Sequence, residues 1–185
     1  MYAEDGGGTV TEDSPVADTP RALKLLDAER VVLQAGGCVV RLAGLYLLER
    51  GAHNAWLGKE AVSQLADGLI NQIEYGDAAD AVLGALLRGQ AGKVYLAADD
   101  YPLSRLQICE EASRLARFAG RGLPRFGATD AAAPARDYGG GKGKILDSRA
   151  SREALQWEPS HKTFGAFIDA ALEDEAAAKL RKNGD

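Results

Sequence analysis

The sequence predicts an α/β fold, and three observations carry that expectation. Short runs rich in β-branched and aliphatic residues at 38–42, 69–75 and 93–97 alternate with longer stretches of helical periodicity. Helix-capping residues and glycines fall at the junctions between them. Apolar residues make up 46% and charged residues 26% of the 185 residues, the composition of one ordinary globular domain.

Taken in order, residues 1–19 read as loop, with Gly6-Gly7-Gly8 as a turn among acidic residues. Thr19 then offers an N-cap and Pro20 the first helical position, and Leu23, Leu26 and Leu33 with Leu25 and Val32 give an apolar helical face that Gly36-Gly37 ends. The run 38–42 is short and β-branched, as expected of a buried parallel strand. A polar loop holding His53 and Trp56 leads through Gly58 and Gly68 to a second strand at 69–75. Asp77 is expected to cap an Ala-rich helix at 78–87 that Gly89 closes, and 93–97 forms the third strand.

Ser104 with Gln107 makes a capping-box pattern, opening a helix to about residue 118. Residues 121–144 turn to Gly, Ala, Pro and charge and end in Gly139-Gly140-Gly141-Lys142-Gly143-Lys144, which reads as a flexible loop. Ser148 starts a short helix, Trp157 and Pro159 mark a turn, and Thr163 opens a final amphipathic helix. The expected organisation is therefore 1–120, a loop at 121–144, and a helical segment at 145–185.

Composition also excludes partners. With 22 basic against 27 acidic residues the net charge is −5, so no basic excess exists to displace counterions from nucleic acid. No run approaches the roughly 20 apolar residues of a membrane-spanning helix. Cys38 and Cys109 stand apart in a strand-like and a helical run, which favours buried small side chains in a reducing compartment over a disulfide framework. Neither has the neighbouring Cys or His that a metal site needs.

Four segments, in order, carry a resemblance. Tyr2 precedes an acidic loop with Asp13-Ser14-Pro15; Asp27-Ala28-Glu29 lies in the first helix; Arg41-Leu42-Ala43-Gly44-Leu45-Tyr46 is followed by Arg50; and Leu69-Ile70-Asn71-Gln72-Ile73-Glu74-Tyr75-Gly76-Asp77-Ala78-Ala79 runs from strand into helix. Leu155-Gln156-Trp157-Glu158-Pro159 adds a late turn. Together they resemble the later part of an extended or atypical short-chain dehydrogenase/reductase, the NAD-dependent epimerase/dehydratase superfamily. The resemblance implies a partial Rossmann-like parallel sheet, built from the C-terminal strands, with flanking helices and a small substrate-side helical lobe. It implies NAD or NADP as cofactor of a full-length protein and places Arg41, Arg50 and Tyr46 beside the substrate.

The departures are informative. The superfamily uses a tyrosine as acid/base and a lysine one helical turn later, and counting back from Glu29 those positions hold Arg21 and Leu25. Lys24 is one residue out of place, which rotates it about 100° around the helix. No catalytic residue is therefore assigned. Tyr2 is either a stand-in proton donor or an aromatic packed at the sheet edge. Arg41 either anchors an anionic or polar ligand or forms a salt bridge to a helix. Arg50 and His53, on the next loop, either reach substrate or lie at the surface, and His161 is expected to be exposed.

No Gly-rich strand-to-helix turn is present to receive a pyrophosphate, so the chain by itself is expected to bind no dinucleotide. The first half of the fold is expected to lie outside this chain, leaving an apolar sheet edge open. Three readings follow. The chain is the later portion of an atypical NAD(P)-dependent oxidoreductase or epimerase, a non-enzymatic binding or assembly subunit, or a fragment without independent activity.

Overall fold

The computed structural model describes residues 1–127 and 142–182. In chain order the elements are β1 (Gly6–Val10), α1 (Pro20–Gln34), β2 (Val39–Leu42), β3 (Gly44–Tyr46), α2 (Ala52–Leu57), β4 (Ala61–Val62), β5 (Leu69–Ile70) and β6 (Gln72–Glu74). They continue with α3 (Tyr75–Arg88), β7 (Val94–Ala97), β8 (Leu103–Ser104), α4 (Arg105–Ser113), a 3-10 turn (Ala116–Phe118), β9 (Arg125–Phe126), β10 (Gly143–Leu146), α5 (Arg149–Leu155) and α6 (Phe164–Lys182).

The fold is α/β with short, mostly parallel strand pairs and flanking helices, as the sequence predicts. β2 pairs in parallel with β7, from Val39 opposite Val94 to Leu42 opposite Ala97. One residue later the same stretch of chain changes neighbour: Ala43 N–H donates to Ala97 O at 2.9 Å, but Gly44 N–H donates to Asn71 O at 3.1 Å. From there β3 runs parallel to β6, with Leu45 opposite Ile73. Asp99 N–H donates to Gln72 O at 2.8 Å and ties the exit of β7 to β6.

Two larger cores form around these strands, beside a small one of Tyr2, Val10 and Leu96. On one side α3 and α5 cover Ile73, Tyr95 and Ala97 with Ala81, Leu155 and Trp157. Gly84 allows this approach, since a Cβ there would lie 2.7 Å from the carbonyl oxygen of Leu155. The second core is the small helical lobe, where α2, α4 and α6 enclose Tyr46, Ile108, Leu115, Phe164 and Ile168. Trp157 is buried and Trp56 packs against the helical core, so both tryptophans serve packing.

Several helix boundaries fall where side-chain chemistry places them. Thr19 Oγ1 accepts from Ala22 N–H ahead of α1, and Ser104 with Gln107 forms both halves of a capping box on α4. The 69–75 run differs from expectation, since it is two strands with different partners: β5 is antiparallel to β8 and β6 is parallel to β3. Asn71 causes the break, because its side chain bonds across to β10, donating to Lys144 O and accepting from Leu146 N–H, both at 2.8 Å.

The cap of α3 also moves. Glu74, not Asp77, is the N-cap, its carboxylate accepting from the N–H groups of Gly76 and Asp77. Gly76 permits this, since a Cβ there would lie 2.7 Å from Glu74 Oε2. Asp77 is instead buried in the first turn. The Gly6-Gly7-Gly8 stretch is not a turn but the start of β1, paired in parallel with β10. The expected polar loop around His53 is helix α2, with His53 fully buried inside it. The described ends of the 121–144 stretch carry β9, paired with β4, and the start of β10, whereas Gly139, Gly140 and Gly141 lie outside the described residues.

Candidate functional site

A cavity of about 900 Å³ opens between α1, β2 and the N-terminal residues. Two features of the chain make it. The first is an unpartnered strand edge. Val39 N–H donates to Lys93 O at 3.0 Å and Ala43 N–H to Ala97 O at 2.9 Å, so by alternation the amides of Val40 and Leu42 turn away from β7. Among the described residues no strand pairs with that side.

The second is a second apolar face on α1. Ala22 is buried, and Leu26 and Leu33 are half-buried. Leu25, Ala28 and Val32, at spacings of three and four, line the cavity together with Ala22. Leu25 remains 46% and Val32 43% exposed. A helix whose apolar residues overlie an open strand edge presents the surface of an unfinished α/β layer.

Polar groups gather at the mouth. Arg41 grips Glu29 of α1 with two hydrogen bonds, Nε to Oε1 at 2.9 Å and a terminal nitrogen to Oε2 at 2.7 Å. Its other terminal nitrogen donates to the Tyr2 hydroxyl at 2.7 Å, and its guanidinium carbon stands 5.0 Å from the centre of the Tyr2 ring. Lys144 Nζ donates to Tyr2 O at 2.7 Å. The bonds to Glu29 raise the Arg41 pKa, burial raises that of Tyr2, and burial lowers that of Lys144. Of the two readings for Arg41, the salt bridge to a helix is the one present. Tyr2 is buried against Val10 and Leu96, and among the described residues its hydroxyl accepts from Arg41.

Arg41, Arg50 and Tyr46 meet different partners. Arg41 lines the cavity. Arg50 is exposed, its guanidinium carbon 5.8 Å from the Tyr75 ring. Tyr46 is fully buried under α6, with Phe164 and Phe167 edge-on at 5.1 Å each, and its hydroxyl donates to Asp99 Oδ2 at 2.8 Å. His53 is buried rather than on the surface, beside the carbonyl of Leu48 at 3.1 Å, and burial lowers its pKa. His161 is half-buried, its ring 5.4 Å from that of Phe167. Cys109 is buried and burial pushes its thiol up to about 11, while Cys38 is half-buried.

Arg21 and Leu25 both line the cavity, whereas Lys24 is exposed and does not. Gly6 and Gly8 belong to a strand, not to a turn that opens a helix. Among the described residues no group of three or more His, Cys, Asp or Glu could hold a metal ion. No helix among them is long and apolar enough to cross a membrane.

Outside the cavity, the strongest unanticipated feature is the buried Asp99 and Tyr46 pair. Its only sequence signal is the adjacent Asp99-Asp100 at the end of a strand-like run, which by itself says nothing of burial.

A scan against protein-family models finds no match. No curated protein matches either. Solved structures do. The chain is similar to a functionally unknown conserved protein from Silicibacter pomeroyi DSS, with a TM-score of 0.75, 23% identity, and coverage of 94% of this chain and 63% of that one. It is similar to dTDP-glucose 4,6-dehydratase from Bacillus anthracis in complex with NAD, with a TM-score of 0.67, 14% identity, and coverage of 95% and 59%. It is similar to UDP-glucuronic acid 4-epimerase from Bacillus cereus in complex with NAD, with a TM-score of 0.69, 15% identity, and coverage of 91% and 56%. The chain thus spans about 60% of the length of these structures. Over that span it has the fold of NAD-complexed epimerase and dehydratase structures.

Proposed function

We propose that this chain is the C-terminal, substrate-side portion of an atypical extended short-chain dehydrogenase/reductase of the NAD-dependent epimerase/dehydratase superfamily, one that lacks the Tyr–Lys pair. The observation that carries this reading is the cavity beside β2. Its lining holds Arg21 and Leu25 at the two positions where the resemblance calls for the catalytic pair. Ordinary alcohol oxidation through that pair has no proton donor here.

In this reading NAD or NADP is bound by polypeptide that completes the sheet along β2, since the described residues offer the pyrophosphate no helix-opening glycine turn. When bound, the dinucleotide supplies hydride transfer. The part of this chain is to wall the cavity. Arg41, held by Glu29 and Tyr2, fixes the β2 end of α1 and lines the space. Arg50 and Tyr46 complete the candidate substrate-side set, Arg50 from the exposed loop after β3 and Tyr46 by holding α6 against the sheet.

A second reading, a non-enzymatic binding or assembly subunit, is favoured by the same open edge, because an unpaired strand beside an apolar helix face is a surface for β-addition. Titration calorimetry with NAD and with NADPH tests both. The isolated chain is expected to bind each weakly or not at all. A dissociation constant in the micromolar range or tighter (about −8 kcal/mol or stronger) overturns the claim that the cofactor half is not here.

A further inference from the structure

Away from the cavity, the junction of β3, β6, β7 and α3 holds a cluster of buried acceptors. Asp99 is 5% exposed, Asp77 2% and Gln72 5%. Asp99 Oδ2 takes the Tyr46 hydroxyl, but Asp99 Oδ1, Asp77 Oδ2 and Gln72 Oε1 carry no hydrogen-bond partner. Buried oxygens without donors are costly, and two ionised carboxylates in one low-dielectric site are costlier still. The cluster is short of hydrogen, and the simplest supply is a proton on a carboxyl.

The same residues hold the chain between α5 and α6. Asp77 Oδ1 accepts from Ser160 N–H at 2.8 Å, and the N–H of Asp100 donates to Lys162 O at 2.9 Å. Arg152 of α5 pairs with Asp100 and with Glu158. Immediately beyond, Phe164 and Phe167 clasp the Tyr46 ring. We propose that the buried Asp99, beside Asp77, is a proton-binding site that latches the 157–163 strap and the first turns of α6 to the sheet, firmly when the proton is bound and loosely when it is released.

The electrostatics agree. Burial, the largest influence, holds the Asp99 carboxyl up at about 7; the Tyr46 hydrogen bond pulls it down, and the negative charges of Asp77 and Asp100 push it up. Glu74 adds to the negative surroundings of Tyr46 but also offers its backbone N–H to Asp99. From α5 the facing charge is Arg152, which pairs with Asp100 and Glu158 through one terminal nitrogen while its Nε carries no partner, and the strap brings Glu158, His161 and Lys162. Because the folded value lies above the ordinary aspartate value of about 4, the folded state holds the proton longer than the unfolded state does. The stabilisation is complete below that lower value and is lost as pH rises toward about 7.

Residue-resolved hydrogen exchange, corrected for the intrinsic effect of pH, tests the latch. Between pH 5.5 and 8 the protection of the Ser160 and Phe167 amides is expected to fall about tenfold or more, the equilibrium change carried by one unit of proton affinity. In Asp99→Asn that fall disappears, and in His161→Gln it persists. Protection that is independent of pH in the wild-type chain overturns the proposal, as does an unchanged fall in Asp99→Asn or its loss in His161→Gln. If Asp99→Asn does not fold, Tyr46→Phe decides. Removing the hydroxyl takes away the hydrogen bond that pulls Asp99 down, so the midpoint must move to higher pH, and an unmoved midpoint overturns the latch.

Discussion

Tyr46→Ala is expected to lower the unfolding free energy by about 3–5 kcal/mol, the range for truncating a fully buried aromatic. The ring is completely enclosed, and it joins the end of β3 to Phe164 and Phe167 of α6. Its loss opens a cavity between sheet and lobe and also strips Asp99 of its only hydroxyl donor. Tyr46→Phe keeps the packing and removes only the hydrogen bond, so it is expected to cost about 1–3 kcal/mol. Urea denaturation of the two variants checks the order. Equal losses would mean that the hydroxyl, not the ring, holds α6.

Arg41→Ala should have the second large effect, about 3 kcal/mol, because it leaves the carboxylate of Glu29 largely out of water without its bidentate partner. Arg41→Lys should recover little, since an ammonium cannot make the paired bonds to Glu29 and still reach the Tyr2 hydroxyl. In a double-mutant cycle the Glu29→Ala and Arg41→Ala losses should be far from additive, whereas Lys24→Ala, on the exposed side of α1, should change stability by less than about 0.5 kcal/mol. A large Lys24 effect on turnover of a cofactor-complete assembly, with Arg41→Ala silent, would instead make Lys24 a displaced catalytic lysine.

The alternation of elements was legible in the sequence because local chemistry writes it. Thr19-Pro20 and the Ser104–Gln107 box specify their helix starts within a few residues, and the β-branched run before Arg41 specifies β2. What the sequence hid depends on partners far along the chain. Gly6-Gly7-Gly8 has no strand propensity and becomes β1 only because β10 lies beside it. Asn71 looks like an interior strand residue, yet its amide bridges to β10 and divides the run in two. Glu74 outcompetes Asp77 as cap because Gly76 leaves room for its longer side chain to fold back.

The candidate site was legible to a similar degree. A salt bridge to a helix was one of the two readings of Arg41, but its partner Glu29 had to be seen one helix face away. Tyr46 and Asp99 are 53 residues apart, and no periodicity connects them. The second apolar face of α1 was present in the letters Leu25 and Val32, where it merged with the packed face into one broad stripe. Only the position of β2 separates the two.

Amide hydrogen exchange along β2, recorded on dilute chain, tests the open edge most directly. The amides of Val39, Arg41 and Ala43 face β7 and should exchange slowly, while those of Val40 and Leu42 face the cavity and should exchange at least about tenfold faster, as unpaired edge amides do. Uniform slow exchange across residues 39–43 would mean that the edge is already covered, and that the sheet needs no further strand.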